Sequence, residues 1–299
     1  MTAEPWYTVV IPTRDSAAWI GPLLAHYRAR GVTPTVMLDT RTRDDTKAIA
    51  IRHGARVVDM PGFTFTERMV ALTKEFVTTP WVAFIHDDEM LSDAVFERLR
   101  GPQPEGVQSV AIPRRWAWYE PGQPLRYGRS SHWRDRAGDD GADHGWRLFR
   151  PDQVTYISVM HTEGFLIDRW SRFPPNAYNV HFEWVLRSRA QRIAKLRRYD
   201  AYQYGYGTFF KNLYVPEDQP PGVIDYIPFE TDAFDALART YFAARGPDPK
   251  PAPLTMRDHW ARLRMNVTTK LGLTGIGVTP EYRQRLQPRL DAEVPDNAR

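Results

Sequence analysis

Four consecutive polar residues, His86-Asp87-Asp88-Glu89, directly follow the apolar run Trp81-Val-Ala-Phe-Ile85. Carboxylates crowded at the end of a strand repel one another unless a cation or hydrogen-bond donors neutralise them. Hard divalent cations such as Mg²⁺ or Mn²⁺ take one or two carboxylates and fill their remaining positions with water and phosphate oxygens. The same four residues also read as a solvated turn whose Asp88 or Glu89 caps the following helix. Glu183, at the start of another predicted helix, reads locally as an acid favoured by the helix dipole.

The elements that must position these side chains alternate over the first hundred residues. Tyr7-Thr-Val-Val-Ile11, Thr35–Asp39, Ala55–Val58 and Trp81–Ile85 are short, apolar and largely β-branched, as buried strands are. Between them, helices are expected over Ser16–Arg30 with Ser16 as N-cap, from Asp45 or Thr46 to His53, and over Glu67–Val77. Such alternation predicts an α/β fold with a mostly parallel sheet covered on both faces. Ligands of these sheets bind beyond the carboxyl ends of the strands, where Thr13, Arg14, Asp39 and His86–Glu89 stand. Beyond Gly101 the pattern loosens into Pro, Gly, Arg and Trp. There Trp146–Phe149 and Val154–Val159 suggest a hairpin, and Glu183–Arg198 a basic helix.

The composition fits a globular chain, with 42% hydrophobic and 25% charged residues. No apolar run approaches the roughly 18 residues of a membrane span. The chain has no cysteine, which excludes disulfides, thiolate metal sites and cysteine nucleophiles. Met1–Trp6 has neither the basic patch nor the apolar stretch of a secretory signal, so a cytoplasmic protein is expected.

Three segments together resemble family 2 glycosyltransferases of the GT-A fold: Tyr7–Arg14, Val36–Thr46 with Ala48–Val58, and Trp81–Leu91. They occur in that family's order and spacing. The resemblance implies a nucleotide-sugar donor, with Thr13 and Asp39 lining the nucleotide pocket and Arg68 near the diphosphate. Arg14 and Asp87 complete the expected donor contacts. Asp88 aligns with the second acid of an Asp-x-Asp metal motif, whereas His86 stands in place of the first. Trp146–Arg150 followed by Val159-Met-His161 is similar to a segment whose His lies near metal and phosphates, making His161 a second candidate ligand beside a loop histidine. His181–Arg189 resembles the family's acidic pair at a helix start, so Glu183 aligns with the base of inverting members.

The expected cofactor is a divalent cation, Mn²⁺ or Mg²⁺. Trp116, Trp118 and Arg147 are candidates for holding a glycan or small or lipid-linked acceptor, because aromatic rings stack on sugars. Basic residues raise further partners. Arg187, Arg189, Arg192, Lys195, Arg197 and Arg198, and the Arg- and Trp-rich stretch Arg114–Arg136, suit phosphate or a modified base in DNA, against a net charge of only +4. Met256–Leu271 reads as an amphipathic helix for its own domain or for a membrane surface. The expected parts are residues 1–100 for the nucleotide sugar, 101–215 for the acceptor and catalysis, and 216–299 as a helical extension. A nucleotidyltransferase would carry a Gly-rich phosphate loop after the first strand, which Pro12–Ser16 lacks. A non-catalytic nucleotide- or glycan-binding module is the third reading, suggested by His86.

Overall fold

The computed structural model describes residues 6–60, 66–101, 105–130, 143–157, 163–202, 207, 210–248 and 256. They fall into two compact units, one drawn from 1–186 and 226–244, the other from 187–225 and 245–293.

The first unit is a mixed sheet flanked by helices. Its strands are β1 (Tyr7–Thr13), β2 (Thr35–Asp39), β3 (Arg56–Met60), β4 (Trp81–Phe84), β5 (Glu89–Leu91), β6 (Ser109–Trp118), β7 (Arg126–Arg129), β8 (Asp143–Phe149), β9 (Thr155–Tyr156), β10 (Phe165–Leu166), β11 (Trp170–Arg172), β12 (Asn179–His181) and β13 (Asp225–Pro228). The main path runs β13-β7-β6-β8-β4-β1-β2-β3; off it, β11 and β12 pair with β6, and β5 pairs with β12. The β3-β2-β1-β4 portion is parallel. Side-chain alternation splits these strands between two cores. Val9, Ile11, Val36, Leu38, Trp81 and Ala83 enter one, and Val10, Met37, Val82 and Phe84 the other. Strand order reverses at β1, so the ends of β1 and β4 flank a switch-point crevice.

Helices α1 (Ile20–Arg28), α2 (Thr46–Arg52), α3 (Glu67–Val70) and α4 (Asp93–Arg100) follow β1, β2, β3 and β5. The expected helix 67–77 tightens into a 3₁₀ turn over Ala71–Glu75. α1 begins at Ile20 without a side-chain cap, because the Ser16 hydroxyl bonds to Asp87. The expected hairpin between 146–149 and 154–159 does not form. β8 is antiparallel to both β4 and β6, while β9 pairs with β10. Residues 158 and 159 lie outside the described set.

Two local features carry stability predictions. Gly164 has φ +81°, and a Cβ there would lie 2.7 Å from the Glu67 carbonyl oxygen and 2.9 Å from Val70 Cγ2. Gly164→Ala is therefore expected to destabilise the fold by about 2 kcal/mol or more, read as a fall in denaturation midpoint. His26, 9% exposed on α1, donates from Nε2 to the Leu91 carbonyl (2.8 Å), leaving Nδ1 to accept from Arg30 Nη1 (3.1 Å). Burial, then the Arg30 charge, brings its pKa from the usual 6.5 down to about 4. The unfolded chain thus binds the proton more readily. Stability present above pH 6.5 should be lost as pH falls towards 4, by up to on the order of 3 kcal/mol. Urea midpoints across this range should fall less for His26→Gln than for the natural chain; equal slopes would contradict the assignment.

In the second unit, the expected helix Glu183–Arg198 proves to be two. α5 (Glu183–Leu186) ends within the first unit, and α6 (Arg189–Tyr202) starts afresh. A capping box makes the break: Ser188 Oγ accepts the Gln191 N–H (3.2 Å), and Gln191 Oε1 accepts the Ser188 N–H (2.8 Å). Among the clustered cations, Arg189 and Arg192 are held internally. Arg189 pairs with Asp218 at 2.6 Å, and Arg192, 1% exposed, binds Glu217 and the Tyr214 carbonyl of α7 (Lys211–Tyr214). Among the described residues no helix is long and apolar enough to cross a membrane. The expected amphipathic helix lies outside the described residues from 257 onward.

Candidate active site

The crevice between β1 and β4 is closed by hydrogen bonds. Thr13 Oγ1 donates to Asp87 Oδ2 at 2.7 Å, and Ser16 Oγ reaches the same oxygen. Asp15, between them, has φ +50°, outside the usual range of a non-glycine residue. Its carboxylate accepts the Arg43 backbone N–H (2.8 Å) and pairs with Arg14 (3.1 Å). At the end of β2, Asp39 is 5% exposed and grips Arg41, with Nη2 2.6 Å from Oδ2. Thr13, Arg14, Asp39 and Asp87 thus stand at or just beyond the carboxyl ends of the neighbouring strands β1, β2 and β4. Arg68 lies on α3, and its side chain is outside the described set.

The acidic motif does not cap α4, whose N-cap is Ser92. It leads instead into β5, which pairs antiparallel with β12 so that His181 stands opposite Glu89. The Phe182 N–H donates to the Asp88 carbonyl (2.8 Å), fixing that register. Phe182 is fully buried against Tyr241 of α8 (Asp235–Ala243), with ring centroids 5.0 Å apart. Its neighbours His181 and Glu183 gather with Asp88. Donor atoms of Asp88, His181 and Glu183 all lie within 4.8 Å of one another, and the three residues are 5%, 4% and 0% exposed. His181 Nε2 is 3.4 Å from Asp88 Oδ1, while its buried Nδ1 has no hydrogen-bond partner among the described residues. Two carboxylates and an imidazole this close and this dry form a suitable set for a divalent cation, which would offset the repulsion between the acids.

Beside this negative pole lies a positive one. Glu89 is fully buried, accepts the His86 backbone N–H (3.0 Å), and pairs with Arg147 at 2.6 Å and Arg114 at 3.5 Å. Burial pushes its carboxyl up, but Arg147, His86, His181 and Arg114 outweigh that and hold it well below the usual carboxylate range. The Arg147 guanidinium lies over the His86 ring, its two terminal nitrogens each 3.5 Å from a ring nitrogen. Burial, then this neighbouring charge, lowers the His86 pKa to about 3, so the imidazole is neutral at pH 7.

Two of the expected acceptor residues take other places. Trp116 is 1% exposed, packed 4.1 Å from the His181 ring and 5.3 Å from Trp184, so it braces His181 instead of offering an open stacking face. Arg147, 8% exposed, is held by Glu89. Trp118 is partly exposed and lies 4.9 Å from Tyr226. Arg114 and Arg115 are divided by strand alternation. Arg114 faces Glu89, whereas Arg115 is caged by Tyr178 (3.6 Å) and Tyr127 (4.4 Å) and bound to Glu230. His161 lies outside the described residues, as do Trp133, Arg134 and Arg136 of the basic stretch. Sequence reasoning missed His181 as a member of the cluster with Asp88 and Glu183, although it stands two residues before Glu183. It also missed Glu89 as the holder of Arg147.

No protein-family model and no curated protein matches the chain. Solved structures similar to it include S. aureus TarS 1-349, at 12% identity and TM-score 0.43, covering 95% of this chain and 82% of that one. This chain covers 39% of a longer S. aureus TarS chain. Another is the mannosyltransferase PcManGT from Pyrobaculum calidifontis in complex with GDP-Man and Mn²⁺, at 14% identity, TM-score 0.41, and 97% and 86% coverage. A third is HddC from Yersinia pseudotuberculosis, at 11% identity, TM-score 0.39, and 59% and 93% coverage.

Proposed function

We propose that the chain is a nucleotide-sugar-dependent glycosyltransferase of GT-A-type organisation that uses a divalent cation. The observation that carries this reading is the Asp88–His181–Glu183 cluster beside the switch-point crevice of the sheet. In this reading Thr13, Arg14, Asp39 and Arg68 hold the nucleotide. Asp88 and His181 hold the cation, and the mixed oxygen and nitrogen set favours Mn²⁺ over Mg²⁺. When bound, the cation neutralises negative charge developing on the departing phosphate.

Glu183 is the base. The acceptor oxygen attacks the anomeric carbon, and the carbon–oxygen bond to phosphate breaks with its electron pair leaving on phosphate. The acceptor proton passes to the Glu183 carboxylate, which favours inversion. Trp118 and Tyr226, both partly exposed, offer a stacking surface for a glycan acceptor. The test is release of free nucleotide from UDP-, GDP-, dTDP- and CMP-sugars, with Mn²⁺ and a mixed glycan acceptor pool. Release from one base class, absent in Asp88→Asn, is expected. Donor binding without release from any of them would favour the non-catalytic module.

A further inference from the structure

At the carboxyl end of β2 the buried group and the exposed one belong to different residues. The Asp39 carboxylate, expected to meet the nucleotide, is filled from within its own turn. Its Oδ1 accepts the Arg41 backbone N–H (2.8 Å) and Nε (3.0 Å), and its Oδ2 accepts Nη2 (2.6 Å). The Asp39 side chain is 7% exposed and that of Arg41 45%, so a ligand at this strand end meets the guanidinium before the carboxylate. Two nitrogens on two oxygens fix the guanidinium plane. The turn beneath it is fixed too. Thr42 donates its N–H and Oγ1 to the Asp39 carbonyl (2.9 and 2.7 Å), and the Arg43 N–H donates to Asp15 (2.8 Å).

Sheet order decides which part of a nucleotide reaches that plane. β4, β1 and β2 are parallel neighbours, so their carboxyl ends form one edge. Asp88 lies beyond β4, and β2 is two strands away, about 10 Å at the usual strand spacing. A cation at Asp88 takes the phosphates, so a nucleotide lying along this edge spans β1 with its ribose and brings its base to β2. A guanidinium whose Nε and Nη2 already bind a carboxylate meets a base through its flat face. Such stacking asks for no further hydrogen bond from Arg41 and serves every base alike.

We propose that Arg41 is the residue on which the base of the donor nucleotide stacks, and that Asp39 is a positioning residue acting through Arg41. This rests on the glycosyltransferase reading above.

The test is calorimetric titration of UDP, GDP, dTDP, CMP and inorganic pyrophosphate in Mn²⁺. Arg41→Ala should weaken each nucleotide that the natural chain binds by about 5–100-fold, and pyrophosphate by no more than about 3-fold. Arg41→Tyr, which keeps a flat face without the charge, should retain more nucleotide binding than Arg41→Lys, which keeps the charge without the face. Asp39→Asn should weaken the nucleotides by less than Arg41→Ala. Adding it to Arg41→Ala should cost nothing more, the signature of one residue acting through another. Arg41 is exposed enough for its truncation to leave the fold intact, which thermal midpoints check. Pyrophosphate weakened as much as the nucleotides, or Arg41→Lys retaining more than Arg41→Tyr, would place Arg41 on phosphate. No loss in Arg41→Ala would remove it from the base, and a loss confined to Asp39→Asn would place Asp39 there instead. Each of these overturns the assignment and leaves the glycosyltransferase reading standing. A natural chain that binds none of the five compounds would remove both.

Discussion

Glu183→Gln is expected to abolish most sugar transfer, by a factor on the order of 10²–10⁴, while donor binding in Mn²⁺ stays unchanged. The substitution keeps the size and polarity of a fully buried side chain and removes only its capacity to take a proton. The proximity of Glu183 to Asp88 and His181 makes the outcome discriminating. If Glu183 serves as a third ligand to the cation, Mn²⁺-dependent donor binding falls together with transfer. Steady-state transfer measured beside donor titration separates the two. Loss of binding equal to loss of turnover would remove Glu183 from the role of base.

Asp88→Asn has the second largest expected effect, and its sign depends on conditions. In Mn²⁺, loss of a charged ligand worth about 1.5–3 kcal/mol should weaken donor binding by on the order of 10–100-fold. In EDTA, donor binding should change little, because no cation is there to lose. The metal-free protein should also keep or gain thermal stability, since one of two crowded carboxylates no longer repels the other. Equal weakening with and without metal would mean that Asp88 contacts the donor directly or supports the fold. A marked fall in metal-free stability would place its main contribution in the pairing with His181, 3.4 Å away.

The parts of this site that sequence made legible are those specified locally. β1, β2 and β4 are continuous apolar runs because both of their faces are buried, and the polar residues that end them, Thr13, Asp39 and Asp87, had to lie at the carboxyl edge. What sequence did not show is set by long-range pairing. β5 and β12 are three residues each and carry no periodic signal, yet their register brings His181 to Asp88 and Glu89. Strand alternation on β6, equally silent until partners are known, sends Arg114 to the site and Arg115 into an aromatic cage. Ser16 carries a signal that was read for the wrong partner. Its hydroxyl suits a helix cap, but Asp87, brought alongside by the parallel pairing of β1 and β4, is the stronger acceptor. The break in the basic helix was legible in principle, because Ser188 and Gln191 have capping-box spacing.

The most direct test of a cation-dependent sugar-nucleotide site is a thermal-shift series of UDP-, GDP-, dTDP- and CMP-sugars, each in Mn²⁺ and in EDTA, on the natural chain and on Asp88→Asn. A donor at about a hundred times its dissociation constant stabilises the fold by roughly 2.7 kcal/mol, a shift of several degrees. A shift with one base class that requires Mn²⁺ and disappears in Asp88→Asn is the predicted result. No shift with any donor, or a shift of equal size in EDTA and in Asp88→Asn, would contradict it.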